Sequence, residues 1–100
     1  MALTLKQVTV TTSAQSLSTL CSLATGRTAY GFRVQLVNGS ANIGYVGDST
    51  VTNAPANAGG TFTATVPYVS PEAIFAGAVS LDRTFLVCSA NTTAHITLLE

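Results

Sequence analysis

Tyr30, Phe32, Val34 and Leu36 alternate with Gly31, Arg33 and Gln35, the period of two expected of a strand with one face in a core. This run leads into Asn38-Gly39, the dipeptide that most favours a tight turn with positive φ, so a strand over Ile43 to Gly47 is expected to fold back on it. Phe62, Ala64, Val66 and Tyr68 alternate with Thr61, Thr63 and Thr65 and predict one further strand, with Pro67 marking its end as a sheet edge. Thr84 to Ser89 is apolar on both faces, as a central strand is when both sides are covered. Ala94 to Leu99 alternates again, with Ile96 and Leu98 on one side and His95 and Thr97 on the other.

Other segments carry weaker patterns. Leu3 to Thr12 is strand-like, but its apolar positions shift from odd (Leu3, Leu5) to even (Val8, Val10), which predicts a bulge or a free arm before a shorter strand. Leu17, Leu20, Cys21 and Ala24 recur at helical spacing among hydroxyl residues, so Ser13 to Gly26 reads as irregular with one helical turn. Asn42 to Thr52 reads as a strand whose two glycines admit a neighbouring backbone, ending in an Asp-Ser-Thr turn. Pro71-Glu72-Ala73 suits a helical turn before Ile74-Phe75 reaches the core. The expected fold is all-β: an antiparallel, jelly-roll-like β-sandwich of six to eight short strands. Residues 1–12 form an N-terminal arm or first strand, and 13–100 a single β-sandwich domain.

Composition narrows the partners. Charged residues make up 8% of the 100 positions and the formal net charge is zero, against about 25% charged residues in an average soluble domain. The 16 Thr and 9 Ser supply hydroxyls in place of charges. A surface of this kind has little electrostatic defence against self-association and suits a place in an oligomer or lattice. Lys6, Arg27, Arg33 and Arg83 are scattered, so no basic cluster offers itself to nucleic acid. No run approaches the ~20 apolar residues of a membrane helix. The opening Met1 to Lys6 is followed by Gln7, Thr9 and Thr11 and does not read as an export signal. Cys21 and Cys88 are accordingly expected as free thiols.

Candidate chemistry is sparse. His95 is the sole histidine, and a hydrolytic trio would have to join it to Ser49 and to Asp48 or Asp82. The position of His95 on an outward row makes an exposed or interfacial role the simpler reading, and no enzyme is expected. The dispersed Asp48, Glu72, Asp82 and Glu100 lack the spacing of a metal site, and no cofactor is expected. Tyr45, Asp48, Asn53 and Asn57 gather turn and loop residues that could line a contact or glycan groove, with Tyr45 and Tyr68 as exposed aromatics.

The order of features resembles a family of small structural proteins of tailed bacteriophages. The resemblance rests on Ala14-Gln15-Ser16-Leu17-Ser18, then Val34-Gln35-Leu36, then Asn42 and Gly44-Tyr45-Val46-Gly47-Asp48-Ser49-Thr50-Val51-Thr52. It continues through Ala58-Gly59-Gly60, Leu81-Asp82, Cys88-Ser89-Ala90 and Ala94 to Leu98. Members of this size are similar to capsid decoration (cement) proteins, and related sandwiches occur in necks, tails, baseplates and fibres, where receptor or glycan binding is the alternative. The resemblance implies a virion location on the capsid surface after synthesis in the bacterial cytoplasm, the major capsid protein as partner, and a homotrimer. Leu3, Leu5, Lys6, Val8 and Val10 are the expected capsid contacts, with the arm pairing with a neighbour's sheet edge.

Overall fold

The inward rows of the two most regular alternations, Phe32-Val34-Leu36 and Ala94-Ile96-Leu98, lie side by side at the centre of one sheet. The computed structural model describes residues 3–53, 58–70 and 79–99. In chain order these form β1 (Leu3–Val10), β2 (Gln15–Ser16), α1 (Leu17–Leu20), β3 (Thr28–Ala29), β4 (Gly31–Leu36), β5 (Gly44–Gly47), β6 (Gly60–Phe62), β7 (Tyr68–Val69), β8 (Val79–Ser80), β9 (Phe85–Cys88) and β10 (Thr92–Leu99). Among the described residues the protein is all-β apart from the single turn of α1, and every pairing is antiparallel. The first sheet has the order β1-β10-β4-β7, the second β2-β9-β5-β6, and β3 pairs with β8. The ten strands among the described residues exceed the six to eight expected because four of them, β2, β3, β7 and β8, are two-residue pairings too short to leave a sequence period.

Both four-stranded sheets feed one apolar cluster. Val10, Phe32, Val34, Leu36, Ala94, Ile96 and Leu98 come from the first sheet, and Val46, Phe62, Leu86 and Cys88 from the second. Each valine, leucine, isoleucine or phenylalanine among them contributes about 1.5–3 kcal/mol when taken fully out of water, which is the force that holds the sheets against each other. Leu17, Cys21, Ala29 and Leu81 close the cluster from the connections. Cys21 and Cys88 are both buried free thiols.

The start of the α1 turn is fixed by side chains. The Thr19 N–H donates to the Ser16 hydroxyl at 3.2 Å, a serine N-cap. The Ser18 hydroxyl donates to Asp82 Oδ1 at 2.5 Å, and the Gly26 N–H to Oδ2 at 2.6 Å. The Ser18 hydroxyl first, then the Gly26 amide and the nearby Arg83 charge, hold the Asp82 carboxyl below its ordinary value of 3.8. One carboxylate thus ties the helical turn and the loop after it to the segment leading into β9.

Several expectations need correction. β1 carries no bulge and is not a free arm, because its register with β10 is unbroken from Leu3↔Leu99 to Val10↔Thr92. The shift in apolar parity arises because Leu3 and Leu5 point outward, while Val10 points into the core. β5 does not fold back on β4 but lies in the other sheet. The reason is local: the Ser40 N–H donates to Val37 O and Gly39 has φ +89°, yet Asn38 keeps a negative φ. A two-residue hairpin turn of the Asn-Gly type needs positive φ at both central residues, whereas one positive φ turns a corner between sheets. The alternation from Phe62 to Tyr68 is not one strand. The Thr63 hydroxyl accepts from the Thr65 and Val66 N–H groups, and the Thr63 N–H donates to Val66 O, so the chain turns and Val66 is left 61% exposed. Tyr30, expected inward, is exposed at the sheet's end. The gap left by Gly44 is filled by the Phe62 ring rather than by backbone. Pro71 to Phe75, where a helical turn is expected, lies outside the described residues.

Candidate interaction surface

β1 has β10 on one side and, among the described residues, no strand on the other. Its outward positions are Leu3, Leu5, Gln7 and Thr9, and the two leucines are 67% and 73% exposed. Cross-strand register carries these positions over the sheet in rows. Leu3 stands opposite Leu99, which stands opposite Gly31. Leu5 stands opposite Thr97, then Arg33, then Val69, itself 60% exposed. Tyr30, whose N–H donates to Leu99 O at 2.7 Å, adds a further exposed ring at that end. The next row is Gln7, His95 and Gln35. The end of the outer face that bears Leu3, Leu5, Leu99 and Val69 is therefore the more apolar, with Thr97 and Arg33 between Leu5 and Val69, and the Gln7, His95 and Gln35 row is polar.

Two polar side chains of this face, Arg33 and Gln35, are held by contacts with the chain itself. The Arg33 guanidinium donates to Gln35 Oε1 at 2.6 Å, and Gln35 Nε2 donates to Ala64 O at 2.8 Å. In the apolar half, Leu3 and Leu5 remain largely in water, where covering each would gain roughly 1–2 kcal/mol.

The second sheet treats its outer face differently. Tyr45 and Val87, opposite each other in the β5–β9 register, are buried with Val51 in a second small cluster, against which Ala14, Ala58 and Phe85 pack. Val51 belongs to the segment after β5, which folds back over its own sheet. The Gly59 N–H donates to Val46 O at 2.7 Å where that segment returns. So, among the described residues, one outer face is closed by the chain itself, while half of the other stays open.

The sequence-predicted contacts divide accordingly. Leu3 and Leu5 are on the open face. Lys6 and Val8 point to the inner side and are half-buried, and Val10 is fully buried, so Val10 is not a surface contact. Lys6 on the inner side of an edge strand also disfavours the addition of another strand there. Tyr45 is only 7% exposed and belongs to the second cluster, so it is not a groove aromatic. Asp48 is exposed and forms its own turn, accepting from the Thr50 N–H at 2.9 Å and the Thr50 hydroxyl at 2.5 Å. The hydroxyl first, then the amide, hold its carboxyl below 3.8. Asn53 is exposed, and Asn57 lies outside the described residues. Val69, Leu99 and Tyr30 join the open face without having been expected there. Tyr30 sits in a run that reads as core, and only strand register brings Val69 and Leu99 beside Leu3 and Leu5.

The hydrolytic trio does not assemble. His95 is exposed on the first sheet, whereas Asp48, Ser49 and Asp82 border a shallow depression beside Phe85 of the second. Among the described residues no three His, Cys, Asp or Glu side chains group as metal ligands, and no helix is long and apolar enough to cross a membrane. Comparison of the chain with protein families, with curated proteins and with solved structures finds no match.

Proposed function

We propose that this chain is a structural protein of a bacteriophage virion, a capsid decoration or cement protein that binds the outer surface of the shell and bridges neighbouring capsomers. The observation that carries the reading is the open apolar half of the first sheet's outer face, built by Leu3, Leu5, Leu99 and Val69 on a nearly chargeless chain. A patch of this kind on a strand-built surface is suited to docking by shape and apolar contact. The occupant we assign to it is the major capsid protein, with copies of the chain meeting as a homotrimer. Function would follow by mass action, each added interface stabilising the assembled shell with nothing chemically transformed.

The connectivity supports a jelly-roll-like sandwich. With the β3–β8 pair set aside, the remaining eight strands pair first with last (β1–β10), second with seventh (β2–β9), third with sixth (β4–β7) and fourth with fifth (β5–β6). That is a long hairpin rolled across two sheets, an architecture that recurs in viral capsid proteins and in lectins. Fold analogy carries no function by itself. Between those two uses, the burial of Tyr45 takes one of the two tyrosines expected to line a glycan groove out of reach, which is the observation that leans toward the capsid reading.

The test is to mix purified protein with shells of the cognate coat protein and image them by electron microscopy. The proposal predicts regular added density on the shell exterior and shells that survive more heating. Bare shells would overturn it and direct attention to the neck, tail or fibre.

A further inference from the structure

The Asn38-Gly39 corner carries a chemistry that shell binding does not use. We propose that Asn38 is a site of spontaneous modification, its side-chain amide being attacked by the Gly39 backbone nitrogen so that the residue converts to aspartate and isoaspartate.

The geometry leaves both partners open. Asn38 and Gly39 are exposed at the corner between the two sheets. The turn is closed by the Ser40 N–H donating to Val37 O at 3.2 Å, which leaves the Gly39 nitrogen unused. Among the described residues neither that nitrogen nor the Asn38 side chain has a hydrogen-bond partner. Gly39 has no side chain to shield its nitrogen, and the space where a Cβ would stand is empty. Its φ of +89° is a conformation that favours glycine, so the turn itself selects the residue that leaves the nucleophile bare.

The other asparagines lack this combination. Asn42 is half-buried, its Nδ2 donates to Thr92 Oγ1 at 2.6 Å, and the β-branched Ile43 follows it. Asn91 is exposed but precedes the β-branched Thr92. Asn53 and Asn57 each precede an alanine, whose Cβ crowds the attacking nitrogen.

In the first step the Gly39 nitrogen gives its proton to solvent hydroxide and bonds to Asn38 Cγ. The bond from Cγ to the side-chain nitrogen breaks, and that nitrogen takes a proton from water and leaves as ammonia. The product is a five-membered succinimide in which the Gly39 nitrogen is held by both Asn38 carbonyl carbons. Water then opens the ring. Cleavage at Cγ restores the ordinary backbone with an aspartate, and cleavage at the backbone carbonyl carbon routes the chain through Cγ as isoaspartate. The balance is amide plus water giving carboxylate plus ammonium, with no oxidant or reductant.

Either product adds one negative charge to a chain of formal net charge zero. The charge appears beside Val37, whose N–H donates to Thr93 O, at the opposite end of the first sheet from Leu3 and Leu99. The apolar half of the face is untouched, so the modification and shell binding are separable.

The folded full-length chain would be held in mildly alkaline buffer at 37 °C, sampled by charge-variant separation, and mapped by peptide fragmentation that distinguishes aspartate from isoaspartate. The expected result is an acidic species, mapped to Asn38 with both products present, that forms several-fold faster than conversion at any other asparagine. It should be absent from Asn38→Gln, which keeps an exposed amide but disfavours ring closure. An acidic species forming equally in Asn38→Gln would overturn the proposal. So would an Asn38 that stays intact in the folded chain while converting in denaturant.

Discussion

Gly44→Ala is the sharpest test of how the second sheet packs on the core. Gly44 stands opposite Phe62 in the β5–β6 register, and a Cβ built on it would overlap Cζ and Cε2 of the Phe62 ring and lie 2.6 Å from Cε1. The ring cannot swing clear into solvent, because Phe62 is 0% exposed within the main cluster. Overpacking of a filled core costs typically 1–3 kcal/mol, and a ring closed in on every side places this case near the top, about 3 kcal/mol. At about 4–8 °C per kcal/mol for a domain of this size, thermal unfolding monitored by circular dichroism should drop by roughly 12–24 °C. Phe62→Leu in the same chain should relieve part of the overlap, so that the double variant is more stable than the sum of the singles by about 1–2 kcal/mol. A Gly44→Ala melt within about 0.5 kcal/mol of the parent, or strictly additive variants, would refute the close approach of β5 to the Phe62 ring.

Two further outcomes follow from the tethers. Val51→Ala should cost about 2 kcal/mol by removing apolar volume that is 3% exposed, and should speed limited proteolysis within residues 48–53, since Val51 pins that segment on Tyr45 and Val87. Unchanged cleavage would remove the pin. The Asp82 carboxyl is held below 3.8 by Ser18 and Gly26, so its contribution to stability is present above that value and lost as pH falls through the lower folded one. Asp82→Asn should therefore melt lower at neutral pH and show a flatter loss of stability below about pH 4 than the parent, Asp48 supplying a residual slope of the same sign. Identical acid profiles would contradict the tether.

Much of the first sheet was legible in the pattern because its central strands, β4 and β10, each have one dry and one wet face, which makes a period of two unambiguous. The α1 turn was legible from the helical spacing of Leu17 and Leu20. β1 misled because its apolar residues serve two surfaces: Val8 and Val10 the inner side, Leu3 and Leu5 the outer. A one-dimensional pattern reads such a strand as out of register with itself. The run from Phe62 to Tyr68 misled for the opposite reason, since a threonine hydroxyl capturing two backbone amides ends the strand while the apolar alternation continues. Of the candidate surface, Leu3 and Leu5 were legible and their companions were not. Leu99 and Val69 reach them only through the pairings of β10 and β7, which are separated from β1 by most of the chain. Tyr45 was misplaced because the cover supplied by Val51 comes from a turn, and turns carry no hydrophobic period.

Deleting β1 would remove a whole ladder along with Val10 from the core, so point changes on the outer face isolate docking from folding. Leu3→Lys and Leu5→Lys exchange side chains 67% and 73% exposed, and each should leave the melting temperature nearly unchanged, within about 0.5 kcal/mol. The decisive measurement is co-sedimentation of the parent and the doubly substituted protein with shells of the cognate coat protein. The account predicts saturable binding by the parent and loss of binding by the folded double variant. Equal binding by the two would contradict the assignment of the apolar half-face as the surface that meets the shell.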